Sequence, residues 1–163
     1  MKVIFKNFDE IDDKLLKFAV IMAKYNGKWI FCRHKERSTW EIPGGHREQG
    51  ENIFDTAQRE LCEETGAEDF GLIPISVYGV DRDGEVTYGG LFCADVNVLG
   101  KIPEEMEIAE IQLFDNLPEN LTYPGIQPYL YERVSKAVQY YNNNSTKLTI
   151  TFFGGGLVLL RNH

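Results

Sequence analysis

The chain has 163 residues, 43% of them hydrophobic and 26% charged, which suits one soluble globular domain with a sizeable core. Its 25 acids against 17 Lys and Arg give a net charge of −8, which argues against general binding to long nucleic acids, where clustered cations are needed. The stretch from Met1 to Lys14 carries acids and lacks a signal-peptide core, and no apolar run approaches a membrane span, so a cytoplasmic protein is expected.

Along the chain, Val3 to Phe8 reads as a short strand before an acidic turn at Asp9 to Asp13. Leu15 to Ala23 is an apolar strand, Asn26-Gly27 marks a hairpin, and Trp29 to Arg33 returns. Asn52 is a good helix N-cap with Asp55 three positions on, and Gly66 sits where a helix-terminating glycine belongs. Between them Phe54, Ala57, Leu61 and Thr65 form one stripe for the core. Leu72 to Val80 and Glu85 to Val98 read as strands joined at Asp81-Arg82-Asp83-Gly84, and Ile108 to Phe114 as another. After a Pro124-Gly125 break, Tyr129 to Tyr141 places Leu130, Val134, Val138 and Tyr141 at helical spacing. Cys32, Cys62 and Cys93 are odd in number and widely spaced, as expected of buried free thiols.

Residues 1–145 are expected to form the single domain, followed by an apolar tail over 146–163. Within the tail Lys147 to Phe153 alternates like a strand, and Gly154-Gly155-Gly156 leads into Leu157 to Leu160. So apolar a segment should pack on its own domain or on a partner subunit, which raises a homodimer as an expectation.

The most informative feature is the crowding of Glu60, Glu63 and Glu64 into the last turn of the motif helix. Like charges at i,i+3 and i,i+4 destabilise a helix by roughly 0.2–0.5 kcal/mol per pair. Acids there also face the negative end of the helix dipole, at a further ~0.3–1 kcal/mol each. A cation would offset both, and Mg²⁺ takes such carboxylate oxygens together with substrate phosphates. The alternative is a solvated acidic face.

The surrounding residues favour the cation. Gly45, Glu51, Arg59-Glu60-Leu61, Glu63-Glu64 and Gly66-Ala67 stand at the spacing of the Nudix signature, and the chain resembles the Nudix hydrolase family, MutT-like members in particular. The resemblance implies an α/β/α sandwich around a mixed sheet and hydrolysis of a nucleoside diphosphate linked to another group, with Mg²⁺ or Mn²⁺ as cofactor. It also implies Glu60 and Glu64 as metal ligands, the Gly44 carbonyl beside them, and Glu63 as a ligand, a water-mediated ligand or the base. Arg59 would orient Glu63 and pair with Glu51. An additional acid from outside the motif is expected at Glu107, with Glu110 second.

Arg33, His34, Lys35 and Arg37 form a basic patch that could contact phosphate or be an exposed loop, and His46 could touch phosphate or face solvent. Trp40, Tyr78, Tyr88, Phe92 and Tyr123 could stack on a base or belong to the core. Trp40-Glu41-Ile42-Pro43-Gly44-Gly45 and the segment Phe114 to Leu121 look like those of Bacillus-type 8-oxo-dGTP diphosphatases, which implies a purine nucleoside triphosphate as substrate. Where ADP-ribose hydrolases tend to carry a proline the chain has Arg82, which lowers that alternative. Dinucleoside polyphosphates and a non-catalytic nucleotide-binding role stay open.

Overall fold

Alternation along two central strands divides the core into two halves. A computed structural model describes residues 1–143, 148–153 and 156–161. In chain order the first half has β1 (Lys2–Lys6), a 3-10 turn (Asp13–Leu15), β2 (Leu16–Tyr25), β3 (Lys28–His34), β4 (Gly44–His46) and α1 (Ile53–Thr65). The second has β5 (Ala67–Arg82), β6 (Glu85–Leu99), β7 (Ile108–Phe114), α2 (Gln127–Asn143), β8 (Leu148–Phe153) and β9 (Gly156–Arg161). The strands form one mixed sheet in the order β7-β3-β2-β6-β5-β8-β9, with β1 joined to β5 and β4 to β2. Only β2 and β6 run parallel among these pairings, from Leu16 opposite Tyr88 to Tyr25 opposite Val96.

Because side chains alternate across a sheet, Ala19, Ile21 and Ala23 of β2 join α1 residues Ile53, Ala57 and Leu61 in one cluster. Met22 of β2, with Trp29 and Phe31 of β3, meets Leu130 and Val134 of α2 in the other. The result is an α/β/α sandwich, as expected.

Local signals act where expected. Asn26 (φ 51°) and Gly27 (φ 77°) turn β2 into β3, and Asp83 (φ 55°) and Gly84 (φ 92°) turn β5 into β6. α1 carries the reciprocal Asn52–Asp55 capping box and ends at Gly66, whose φ of 77° suits glycine. Some boundaries differ from expectation. β5 starts at Ala67 rather than Leu72, because the chain leaves Gly66 directly into a strand whose opening Glu68-Asp69 pair is polar and irregularly paired. Helix α2 is longer than 129–141, and Tyr141 is 41% exposed rather than part of its buried stripe. Cys32 and Cys93 are buried free thiols, whereas Cys62 is half-buried.

In the tail, β8 pairs antiparallel with β5 at Gly71 and Leu72, and β9 pairs with β8. The expectations for Lys147, Gly154 and Gly155, and for burial of the tail side chains, lie outside the described residues. Among the described residues no helix is long and apolar enough to cross a membrane.

Candidate active site

Strands β2 and β3 pair only next to their turn, at Lys24–Trp29 and Tyr25–Lys28, and then splay apart. The segment Glu41 to His46 wedges into the gap. Cys32 and Glu41 exchange backbone hydrogen bonds of 2.9 and 2.8 Å, the Ile21 amide donates to Pro43 O at 2.8 Å, and β4 pairs with Phe18 to Val20. A Cβ at Gly44 would strike the β2 backbone, and one at Gly45 would strike the Glu60 carboxylate. The two glycines therefore bring bare backbone against α1.

Two acids of α1 point at this backbone. Glu60 and Glu64 are buried, 8% and 9% exposed, and the Gly44 amide donates to Glu64 Oε2 at 2.9 Å. Burial pushes the Glu64 carboxyl up to about 8, with nearby Glu60 and Glu41 adding to the rise. Glu60 is raised by burial too, opposed by the Arg59 guanidinium. Arg59 clasps Glu51 with its fork, Nε to Oε2 at 2.7 Å and Nη2 to Oε1 at 3.0 Å. Its remaining nitrogen reaches Glu60 at 2.8 Å and Glu63 at 3.1 Å, with Glu48 at 3.6 Å, so one guanidinium ties four acids. That clasp holds Glu51 down to about 2.

The two buried acids line a cavity of about 590 Å³. His34 stands on its wall among three carboxylates, with Nε2 3.2 Å from Glu41 and 3.7 Å from Glu64, and Nδ1 3.7 Å from Glu107. Arg37 binds the Glu41 carboxylate and reaches Tyr123 OH at 3.4 Å, which together hold its guanidinium charged. The cavity thus gathers Glu107, Arg37, Tyr78 and Tyr123 from the expected set. It does not gather Arg33, Lys35, Trp40 or Tyr88. Arg33 pairs with Glu110 at 2.9 Å, and Lys35 donates to Glu104 O at 2.5 Å. Trp40 packs edge-on to Phe114, and Tyr88 packs against the α1-side core, as does Phe92. His46 is exposed on the cavity rim, edge-on to Phe18.

The NUDIX domain model matches residues 15–132, which span both the wedge and α1. The chain belongs to the Nudix family. Among curated Nudix-related proteins it is 34% identical to Bacillus subtilis YtkD, a provisional 8-oxo-dGTP diphosphatase, over 65% of this chain and 66% of YtkD. It is 56% identical over 34 residues to mouse nucleoside diphosphate-linked moiety X motif 6, a match covering 21% of this chain and 11% of that protein. The matches therefore span just under two thirds of the first relative and about a tenth of the second. Among solved structures, a point mutant of the Bacillus subtilis pyrophosphohydrolase BsRppH superposes with a TM-score of 0.69 at 26% identity, covering 83% of this chain and 90% of that one.

The Nudix helix fits a hard divalent ion. Its buried donors are carboxylate oxygens, which burial raises toward the protonated state, and oxygen is what Mg²⁺ and Mn²⁺ take. Among the described residues no group of three or more His, Cys, Asp or Glu side chains is placed to hold a metal ion. An ion that keeps waters and shares substrate phosphates needs none. Two buried polar residues of the Nudix cavity escaped the sequence reading of the site. Glu41, 7% exposed, was signalled only by a charge inside the apolar Trp40-Glu41-Ile42-Pro43 run, and Gln127, 4% exposed, by an amide on the apolar face of α2.

Proposed function

We propose that the chain is a divalent-metal-dependent pyrophosphohydrolase whose substrate is a purine nucleoside triphosphate, oxidised or normal, cleaved to the monophosphate and pyrophosphate. The observation that carries this reading is the buried Glu60–Glu64 pair, held against the Gly44–Gly45 backbone in a cavity large enough for a nucleotide. The similarity to YtkD and BsRppH supports the reaction class, and the YtkD match supports the triphosphate.

Glu60, Glu64 and the Gly44 carbonyl would hold Mg²⁺ or Mn²⁺, with Glu63 beside them. Bound there, the ion would neutralise phosphate oxygens and make a water more acidic. Arg59 is a positioning residue, fixing Glu60 and Glu63 while Glu51 anchors it. Glu107 is a candidate to accept the proton of the attacking water, because it lines the cavity whereas Glu110 is engaged by Arg33. Arg37 and Tyr123 at the rim suit contact with phosphate and an aromatic base face.

A panel of nucleoside triphosphates, oxidised dGTP, ADP-ribose and dinucleoside polyphosphates, assayed with Mg²⁺ for product identity, tests the proposal. Pyrophosphate and monophosphate should appear from dGTP or its oxidised form. Preference for ADP-ribose would overturn the substrate, and no turnover of any compound would leave a nucleotide-binding module. Glu107→Gln should slow turnover more than Glu110→Gln.

A further inference from the structure

Glu107 is the acid that the cavity draws from outside α1, and its side chain is 88% exposed. Its backbone is fixed, because β3 and β7 pair past a register shift at Arg33–His34 and the Lys35 amide then donates to Glu107 O at 2.8 Å. The carboxylate itself is free to take several rotamers in water. Among the described residues its side-chain contact is His34, with Nδ1 3.7 Å from Oε2. His34 is better held. Its side chain is 20% exposed, and Nε2 lies 3.2 Å from Glu41 Oε2. Glu41 is itself buried, and its other oxygen is bound by Arg37. An imidazole carries a nitrogen on each of two edges, so one ring can meet acids on both sides.

On the reading of Glu107 as acceptor of the attacking water's proton, we infer that His34 is a positioning residue for that acid. It holds the Glu107 carboxylate over the cavity from one edge of its ring, while Glu41, anchored by Arg37, fixes the other edge. A separation of 3.7 Å is an ion-pair contact rather than a hydrogen bond, and catalytic contacts of this kind often tighten only when substrate is bound. So exposed a pair adds little stability. Its effect lies in orientation, since a misplacement of about 1 Å at a reacting group can cost ~100-fold in rate. Direct contact of His34 with phosphate fits less well. Glu41, Glu64 and Glu107 all stand within 3.7 Å of the ring nitrogens, so each nitrogen already faces a carboxylate.

Two substitutions separate the edges of the ring. In His34→Asn the amide nitrogen takes the place of Nδ1 and keeps the contact with Glu107. In His34→Gln it takes the place of Nε2 and keeps only the contact with Glu41. With Mg²⁺ and the best substrate of the nucleotide panel, Glu107→Gln should lower kcat by ~100-fold. His34→Gln should lower kcat by at least ~10-fold with KM within about twofold of wild type, and His34→Asn should keep most of kcat. Added to Glu107→Gln, His34→Gln should cost no more than about twofold further, because a group that acts through another has nothing left to act on. Matching melting temperatures check that each variant is folded. Losses that multiply in the double variant, or equal losses in the Asn and Gln variants, would overturn the inference and leave Glu107 as the base. So would a raised KM with kcat kept, which is the mark of a phosphate contact. A Glu107→Gln protein as fast as wild type would remove the Glu107 reading and the inference together, with the hydrolase reading intact.

Discussion

A Cβ added at Gly45 would occupy the space of the Glu60 carboxylate, so one methyl group sets two requirements of the site against each other. Gly45→Ala should force Glu60 away from the wedge and lower kcat/KM by at least ~10-fold, since misplaced supporting groups cost about that in metal sites. Its melting temperature should change little, as the clash is with a side chain. Glu60→Gln and Glu64→Gln keep the shape of the buried acids and take away their capacity to ionise. Each should lose at least ~100-fold in kcat/KM, and the metal-free Glu64→Gln protein should melt at the same temperature or higher, because burial already disfavours the Glu64 carboxylate. Wild-type turnover in both variants, or full activity in excess EDTA, would refute the metal assignment.

The Glu51–Arg59 clasp ties the loop before α1 to the helix itself, and its acid response has a definite sign. Glu51, 15% exposed, titrates at about 2 when folded, below its ordinary value of 4.5. Its contribution is thus fully present above pH 4.5 and is lost as pH falls through about 2, on the order of 3 kcal/mol in all. Thermal melts from pH 6 to pH 2 should show a steeper loss for the wild type than for Glu51→Gln, and parallel curves would place the acid lability elsewhere. The same element shows what was readable from the chain. α1 was legible because its cap, its apolar stripe and its terminal glycine are each local signals that agree. β4 was not, since Gly44-Gly45-His46 carries neither period nor β-propensity and becomes a strand only because β2 and β3 part. Glu41 and Gln127 were obscured for a related reason: one polar residue in an apolar run reads as a surface position until tertiary packing buries it. Arg33 and Arg37 lie four residues apart in one basic patch, yet only the second turns to the cavity.

At the scale of the molecule, the pair of buried acids gives the fold a desolvation cost that a bound ion would offset. On the proposed metal assignment Mg²⁺ would bind only the assembled site, so at ~100 times its Kd it should add about 2.7 kcal/mol and raise the melting temperature by several degrees. EDTA should reverse the rise, and Glu64→Gln should largely abolish it. The splayed strands have a kinetic consequence as well. The wedge is closed by the amides of Ile21, Cys32 and Glu41, joining chain segments that must already lie in the sheet. It can therefore open and reclose while β5 and β6 stay paired, as a local unfolding unit rather than part of the global transition. Native-state hydrogen exchange should find these three amides exchanging together, at a lower free energy than core amides such as those of Leu91 and Phe92. Metal should slow the trio far more than the core, so that ligand occupancy sets how often the protein exposes its own interior at the site.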